Sequence, residues 1–252
     1  PVASDAAESE TVFSGTAHAA RAGAGYLTLA VPEPIANLCR THLLEIPVVG
    51  LPADADGTFS NEARAQVAQL AERRSAVLVG PGMCVTGGTV GVVSTLLESE
   101  APLVIDADGL NSLARLTSNR LDEFPELLRR KAPLVLTPHR RELGRLVGLT
   151  DAAPNSLTSA LEAARRIVWA DGGSELVVVA KGTATACVGV EIAMLPKPGP
   201  ACLATAGSGD VLAGITAGLL ARGVETESLP TLTAFACEVH GYAASIAQER
   251  FG

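Results

Sequence analysis

The sequence predicts an α/β protein with tightly packed helices on a mostly parallel, doubly wound sheet. Three observations lead there. Short apolar runs at Ala76–Val79, Leu103–Ile105 and Leu134–Leu136 each stop at a glycine-rich or polar turn and give way to a helical pattern, the alternation that crossover helices on a parallel sheet require. Hydrophobic residues make up 48% of the chain but aromatics only 3%, so the core is Ala, Val and Leu rather than an aromatic platform. The 252 residues contain no internal repeat and no long linker, which favours a single domain over 1–252.

The elements follow in order. Residues 1–13 are polar and Ala-rich without a period, and are read as irregular or truncated. A short helix at Thr16–Ala22 runs through Gly23 and Gly25 into a strand, Tyr26–Val31; Pro32 and Pro34 end it and open a helix at Glu33–Leu43. Leu44–Val49 is a further strand, and Asn61–Arg73 is an amphipathic helix with Ala65, Ala68 and Leu70 inward. The strand Ala76–Val79 stops at Gly80-Pro81-Gly82 before a helix at Thr89–Glu98. Leu103–Ile105 ends in DADGLN, Asp106–Asn111. Leu134–Leu136 ends in Thr137-Pro138-His139, with Thr137 as N-cap and Pro138 at the first helical position. Ser156–Ala170 is a long helix, and Glu175–Ala180 a buried strand running into Lys181–Thr185. Cys187–Val190 and Glu191–Met194 pair as a hairpin, and Leu229–Ala247 is a closing helix that holds His240. Successive strands therefore bring polar loops to one edge, the carboxyl edge where such sheets bind ligands.

Charge narrows the function. Nineteen Lys and Arg against 27 Asp and Glu give a formal charge of −8 with no basic cluster, which argues against nucleic acid or an anionic membrane as partner. The longest uncharged run, Ala76–Leu97, is broken by Gly80, Pro81, Gly82, Gly87 and Gly88 and is not a membrane span. No basic, apolar leader opens the chain, so the cytoplasm is the expected compartment. Cys39, Cys84, Cys187, Cys202 and Cys237 are scattered, without a CxxC pair, and read as reduced thiols used as small apolar fillers.

The stretch Ala204–Arg222, ATAGSGDVLAGITAGLLAR, organises the rest. Gly207, Ser208 and Gly209 form a turn that feeds an apolar helix, so unpaired N–H groups and the positive helix end converge where an anion would sit. Asp210 adds a carboxylate that, ionised, accepts a proton from a hydroxyl about to be phosphorylated. Without a ligand the same residues have plainer uses: a helix cap at Ser208 or Asp210, a solvated loop lysine at 181, strand-ending aspartates at 106 and 108, a surface histidine at 139.

GPG at Gly80–Gly82, DADGLN, TPH, KGTAT at Lys181–Thr185 and GSGDVLAGI, in this order and spacing, resemble the ribokinase-like superfamily, and within it the ADP-dependent NAD(P)H-hydrate dehydratases. The resemblance runs from Ser14 onward and includes RAGAGYLTLAVPEP. It implies a ribokinase-like three-layer α/β/α sandwich and repair of the 6-hydrate of NADH or NADPH, with ADP, or else ATP, as phosphoryl donor and Mg²⁺ as its companion ion; no dedicated metal motif is visible. By that pattern Asp210 is the base, and Lys181, Gly182, Thr183, Ala184, Thr185, Gly207, Ser208 and Gly209 hold the nucleotide. Thr16, Gly82, Asp108, Asn111, His139 and Asp210 contact the hydrate. The resemblance also suggests a homotetramer. The chain departs from the pattern before Ser14, at Arg140-Arg141, where the family has Pro-Gly, and at Pro200 and Ala206, where it has Asn and Gly. Competing readings are a thiazole or hydroxymethylpyrimidine kinase, which shares the GxGD logic, and a nucleotide-binding protein without turnover.

Overall fold

The computed structural model describes residues 15–149, 153–171, 175–223 and 229–251. The reading of residues 1–13 lies outside them. In chain order the elements are α1 (15–21), β1 (Leu29–Pro32), α2 (Glu33–His42), β2 (Val48–Leu51), α3 (Ala63–Ala71), β3 (Val77–Val79), α4 (Gly87–Glu98), β4 (Leu103–Ile105) and α5 (Ala107–Leu116). They continue with the single turn α6 (Pro125–Leu128), β5 (Leu134–Leu136), α7 (Arg140–Leu146), α8 (Leu157–Asp171), β6 (Leu176–Ala180), β7 (Ala186–Val188), β8 (Ala193–Met194), α9 (Ser208–Ala221) and α10 (Leu229–Phe251).

The main sheet has six strands in the order β3-β4-β5-β6-β7-β8. The first four run parallel, with Val79 opposite Ile105, Ile105 opposite Leu136 and Leu136 opposite Val178, while β7 and β8 form the antiparallel hairpin. Side chains alternate across the sheet. Leu103, Ile105, Leu134, Leu136, Leu176 and Val178 join one core with residues of α3 to α8. Val104, Val135, Val177 and Val179 face the opposite layer, where Ala213, Ala217 and Leu220 of α9 and Leu229 and Ala234 of α10 cover them. The result is the three-layer α/β/α sandwich.

Several boundaries move. β1 begins at Leu29, whose N–H bonds to Pro47 O, because Tyr26 is out in solvent at 72% exposure; β2 begins only at Val48, after the exposed Leu44 and the Pro47 turn. On α3 the buried residues are Ala63, Val67 and Ala71, with Leu70 partly buried against the same core as expected, whereas Ala65 is exposed and Ala68 only half-buried. Spacing by three, four and seven puts Ala63, Val67, Leu70 and Ala71 on one helical face, which Ala65 does not share. α10 runs on to Phe251.

The first two strands stand apart from the main sheet. β1 and β2 form a separate parallel pair, and Leu29–Pro32 and Val77–Val79 line the two sides of a groove of about 550 Å³ into which Gly15, Thr16 and Ala19 of α1 also face. The groove reaches Gly80, Pro81 and Gly82 at the carboxyl edge of β3. Gly80 has φ +128°, and a Cβ there would stand 1.8 Å from Asp106 O. Gly80→Ala is therefore both strained and overpacked, and a loss of about 2–3 kcal/mol in urea unfolding is the expected result.

Candidate active site

The loops at the carboxyl edge are held by an extension of the strand ladder. Asp106 N–H bonds to Val79 O at 3.1 Å, Thr137 N–H to Ile105 O at 3.1 Å, and Lys181 N–H to Pro138 O at 2.8 Å. Thr137 and Pro138 are thus still part of the sheet, and this corrects the capping assignment: α7 starts two residues later, with His139 as its N-cap. His139 Nδ1 accepts from the N–H groups of Arg141 and Glu142, and Glu142 Oε2 accepts from His139 N–H at 2.8 Å. The imidazole is then neutral with its proton on Nε2, 3.4 Å from Glu142 Oε1. Burial and the nearby Lys181 hold its pKa below the usual histidine value.

Asp106, 1% exposed, occupies the N-cap position of α5 without making a capping bond. Its Oδ1 instead accepts from Lys181 Nζ at 2.7 Å, joining the ends of β4 and β6 across β5. The pair lies against the first turn of α9. A Cβ placed on Gly209 would be 3.1 Å from Lys181 Nζ and 3.9 Å from Asp106 Oδ2. Gly207 caps α9 at φ +83° with no side-chain cap bond, and Ser208 Oγ donates to Leu203 O at 2.7 Å. Neither Ser208 nor Asp210 is spent as the helix cap; Ser208 N–H donates to Thr205 O at 3.4 Å, which leaves Gly209 and Asp210 as the first-turn amides without an intrahelical acceptor.

Asp210 is 8% exposed. Burial pushes its pKa up to about 6; the Asp106 carboxylate pushes the same way and Lys181 opposes. The carboxylate remains mostly ionised at pH 7, as a base must, yet titrates much closer to neutrality than a free aspartate. Asp106, Lys181 and Asp108 are all close enough to act on its charge.

The other expected site residues divide into two groups. Gly182, Thr183 and Ala184 form the exposed crest of the loop after β6, with Thr185 Oγ1 donating to Gly182 O at 3.4 Å. Thr16 and Gly82 line the groove, joined to the Asp210 region through Gly15, where an added Cβ would meet Asp210 O at 3.5 Å. Asp108 and Asn111 are engaged with the protein: Asp108 accepts from Cys84 N–H at 3.0 Å and from Asn111 Nδ2 at 3.1 Å, and Asn111 Oδ1 accepts from Arg145. They shape the loop over which Ala107 adopts φ +46°, a conformation rare for alanine.

Glu142 is the residue that sequence reading missed. Burial drives its pKa up to about 7, and it touches His139 twice. The His139-x-x-Glu142 spacing of a capping box was the available signal. Among the described residues no group of three His, Cys, Asp or Glu could hold a metal ion, and no helix is long and apolar enough to cross a membrane. None of the five cysteines forms a disulfide, but Cys202 is exposed, which the filler role does not explain. His240 is buried and its pKa is lowered by that burial.

A family model for NAD(P)H-hydrate dehydratase matches residues 10–252. The chain belongs to the NAD(P)H-hydrate dehydratase family. It is 38% identical over 237 residues to the bifunctional NAD(P)H-hydrate repair enzyme of Salinibacter ruber, covering 93% of this chain and 40% of that protein. To the ADP-dependent (S)-NAD(P)H-hydrate dehydratase of Neisseria meningitidis it is 36% identical over 187 residues, 73% of this chain and 59% of that one. This family member therefore spans about half the length of these curated relatives. Its fold is ribokinase-like: it matches the Bacillus subtilis ADP/ATP-dependent NAD(P)H-hydrate dehydratase co-crystallized with ATP/Mg²⁺ at a TM-score of 0.74 and 25% identity, over 98% of this chain and 79% of that one.

Proposed function

We propose that the protein restores NADH or NADPH from the 6-hydrate, using ADP as phosphoryl donor. The observation that carries the reading is the position of Asp210, a carboxylate with a pKa near 6 on the first turn of α9, beside the Lys181–Asp106 pair. Hydroxide leaves a reduced nicotinamide ring poorly, whereas phosphate leaves well. Asp210 takes the proton of the ring hydroxyl as its oxygen attacks the β-phosphorus of ADP, the bond to the bridging oxygen breaks, and AMP departs. The amides at Gly207–Gly209 face the charge on the transferred group. The ring nitrogen's lone pair then expels phosphate, and loss of a proton from C5 restores the ring double bond.

In this reading the exposed loop Gly182–Thr185 carries the nucleotide, and Lys181 moves between Asp106 and the phosphates. Thr16, Gly82 and the free face of His139 meet the hydrate, while Asp108 and Asn111 position the loop that does so. The described residues do not form a metal cage; Mg²⁺ would enter as the chelate of the nucleotide's phosphates and would supply charge neutralisation there. Cysteines without disulfides suit the cytoplasm. Exposed Phe235, Val239 and Tyr242, spaced by four and three on α10, suit a homo-oligomer, with a tetramer as the form proposed.

The test is to incubate the protein with ADP, Mg²⁺ and NADH hydrate and follow the absorbance of NADH. Recovery of NADH with release of AMP and phosphate in equal amounts is expected; ADP binding without recovery would instead support a nucleotide-binding protein, and a phosphorylated thiazole alcohol a kinase. The pH profile tests the base. Activity needs the carboxylate, so kcat/KM falls as pH drops through about 6. Asp106→Asn removes the negative neighbour and leaves Lys181 unopposed, so the acid limb moves down, though burial, the larger cause, keeps it above the ordinary aspartate range. An unmoved limb excludes this account of Asp210.

A further inference from the structure

The charge balance of the site leaves one requirement unmet. A nucleoside diphosphate brings two or three negative charges into a place that already holds the carboxylates of Asp106, Asp108 and Asp210. Lys181 is the obvious cation, but its ammonium is neutralised by Asp106 at 2.7 Å. The α9 terminus offers only about half a charge. Mg²⁺ carried in by the nucleotide offsets part of this charge, and a protein cation near the phosphates would offset the rest.

Arg140, the first residue of α7, is placed to do so. It is half-buried, and its guanidinium lies over the loop after β6: a Cβ on Gly182 would stand 3.5 Å from Arg140 Nε and 4.0 Å from Nη2. Several nearby or buried arginines are already engaged with the protein. Arg145 donates to Asn111, Arg166 pairs with Asp122, and Arg130 donates to the carbonyls of Leu96, Leu97 and Ala101. Arg140 makes no hydrogen bond or ion pair with another described residue. A half-buried guanidinium with no side-chain partner among the described residues, beside Gly182 in the loop that follows Lys181, has the form of a phosphate ligand.

We propose that Arg140 binds the phosphate of the nucleotide beyond the α position, so that the site holds ADP more tightly than AMP. The proposal rests on the reading of the Lys181–Thr185 loop as the nucleotide site. It also has a consequence for turnover: once the terminal phosphoryl group leaves for the ring oxygen, Arg140 loses its hold on AMP, and the spent nucleotide departs.

Calorimetric titration of wild type, Arg140→Gln and Arg140→Lys with ADP, AMP and inorganic pyrophosphate tests this. Wild type is expected to bind ADP more tightly than AMP. Arg140→Gln should raise the ADP Kd about tenfold or more, the scale of a lost charge-assisted hydrogen bond, and weaken pyrophosphate likewise. AMP affinity should change by less than about twofold, and Arg140→Lys should recover part of the ADP loss. Equal losses for ADP and AMP, or no loss for either, overturn the proposal. The hydrate assay separates it from the reading beneath it. Selective loss of ADP in a chain that never restores NADH upholds Arg140 and removes the dehydratase, whereas active wild type with an unchanged ADP KM in Arg140→Gln removes only Arg140. A wild type that binds no adenine nucleotide removes both.

Discussion

Asp210→Asn lowers turnover of the hydrate by roughly a thousandfold, while ADP affinity stays within about a few-fold. The two effects separate because in the proposed mechanism the carboxylate acts on the acceptor hydroxyl and not on the adenosine. Asparagine has nearly the same shape, keeps the first turn of α9 intact and leaves the amides of Gly207–Gly209 in place, so the nucleotide still finds its anion site. It cannot take a proton. It also removes a buried charge whose burial is the main cause of its raised pKa, so the variant should fold at least as well as the parent. Single-turnover measurement with saturating ADP shows whether the loss lies in chemistry. A variant that retains turnover, or one that no longer binds ADP, contradicts the role given to Asp210.

How far the sequence reveals such a site depends on whether its parts are local. Gly207, Ser208, Gly209 and Asp210 are consecutive, and a glycine turn entering an apolar helix carries its own geometry, so the turn and the helix start, with Asp210 in its first turn, are legible from the order of residues alone. The same holds for the short strands that end at Gly80, Asp106 and Thr137, because strand and turn chemistry lie within a few residues of one another. What escapes is set by pairing across the sheet. The Lys181–Asp106 bond joins residues 75 apart, and it exists only because β5 lies between β4 and β6 in parallel register. His139 becomes an N-cap because Pro138 O is held by Lys181 N–H, a bond that nothing in Thr-Pro-His announces. The burial of Glu142 follows from that shift. The separation of β1–β2 from the main sheet is likewise a matter of neighbours, and apolar runs do not record their neighbours.

Lys181→Met should destabilise the fold by about 3–5 kcal/mol, since it strands the 1% exposed Asp106 carboxylate without its cation. For a chain of this size that corresponds to a fall in Tm on the order of 10 °C. ADP binding weakens as well, but in an unstable variant that loss alone would not show whether Lys181 meets the phosphates. The double variant Asp106→Asn, Lys181→Met resolves the two roles. Removing both charges removes the stranded ion, and a buried pair exchanged for neutral residues costs little, so most of the stability should return. Nucleotide affinity should not return, because the ammonium beside Gly209 is still missing. Urea unfolding and ADP titration on the same three proteins give the answer. If stability and ADP binding recover together, Lys181 serves only to neutralise Asp106; if stability recovers alone, the lysine holds the strands at rest and the phosphates during reaction.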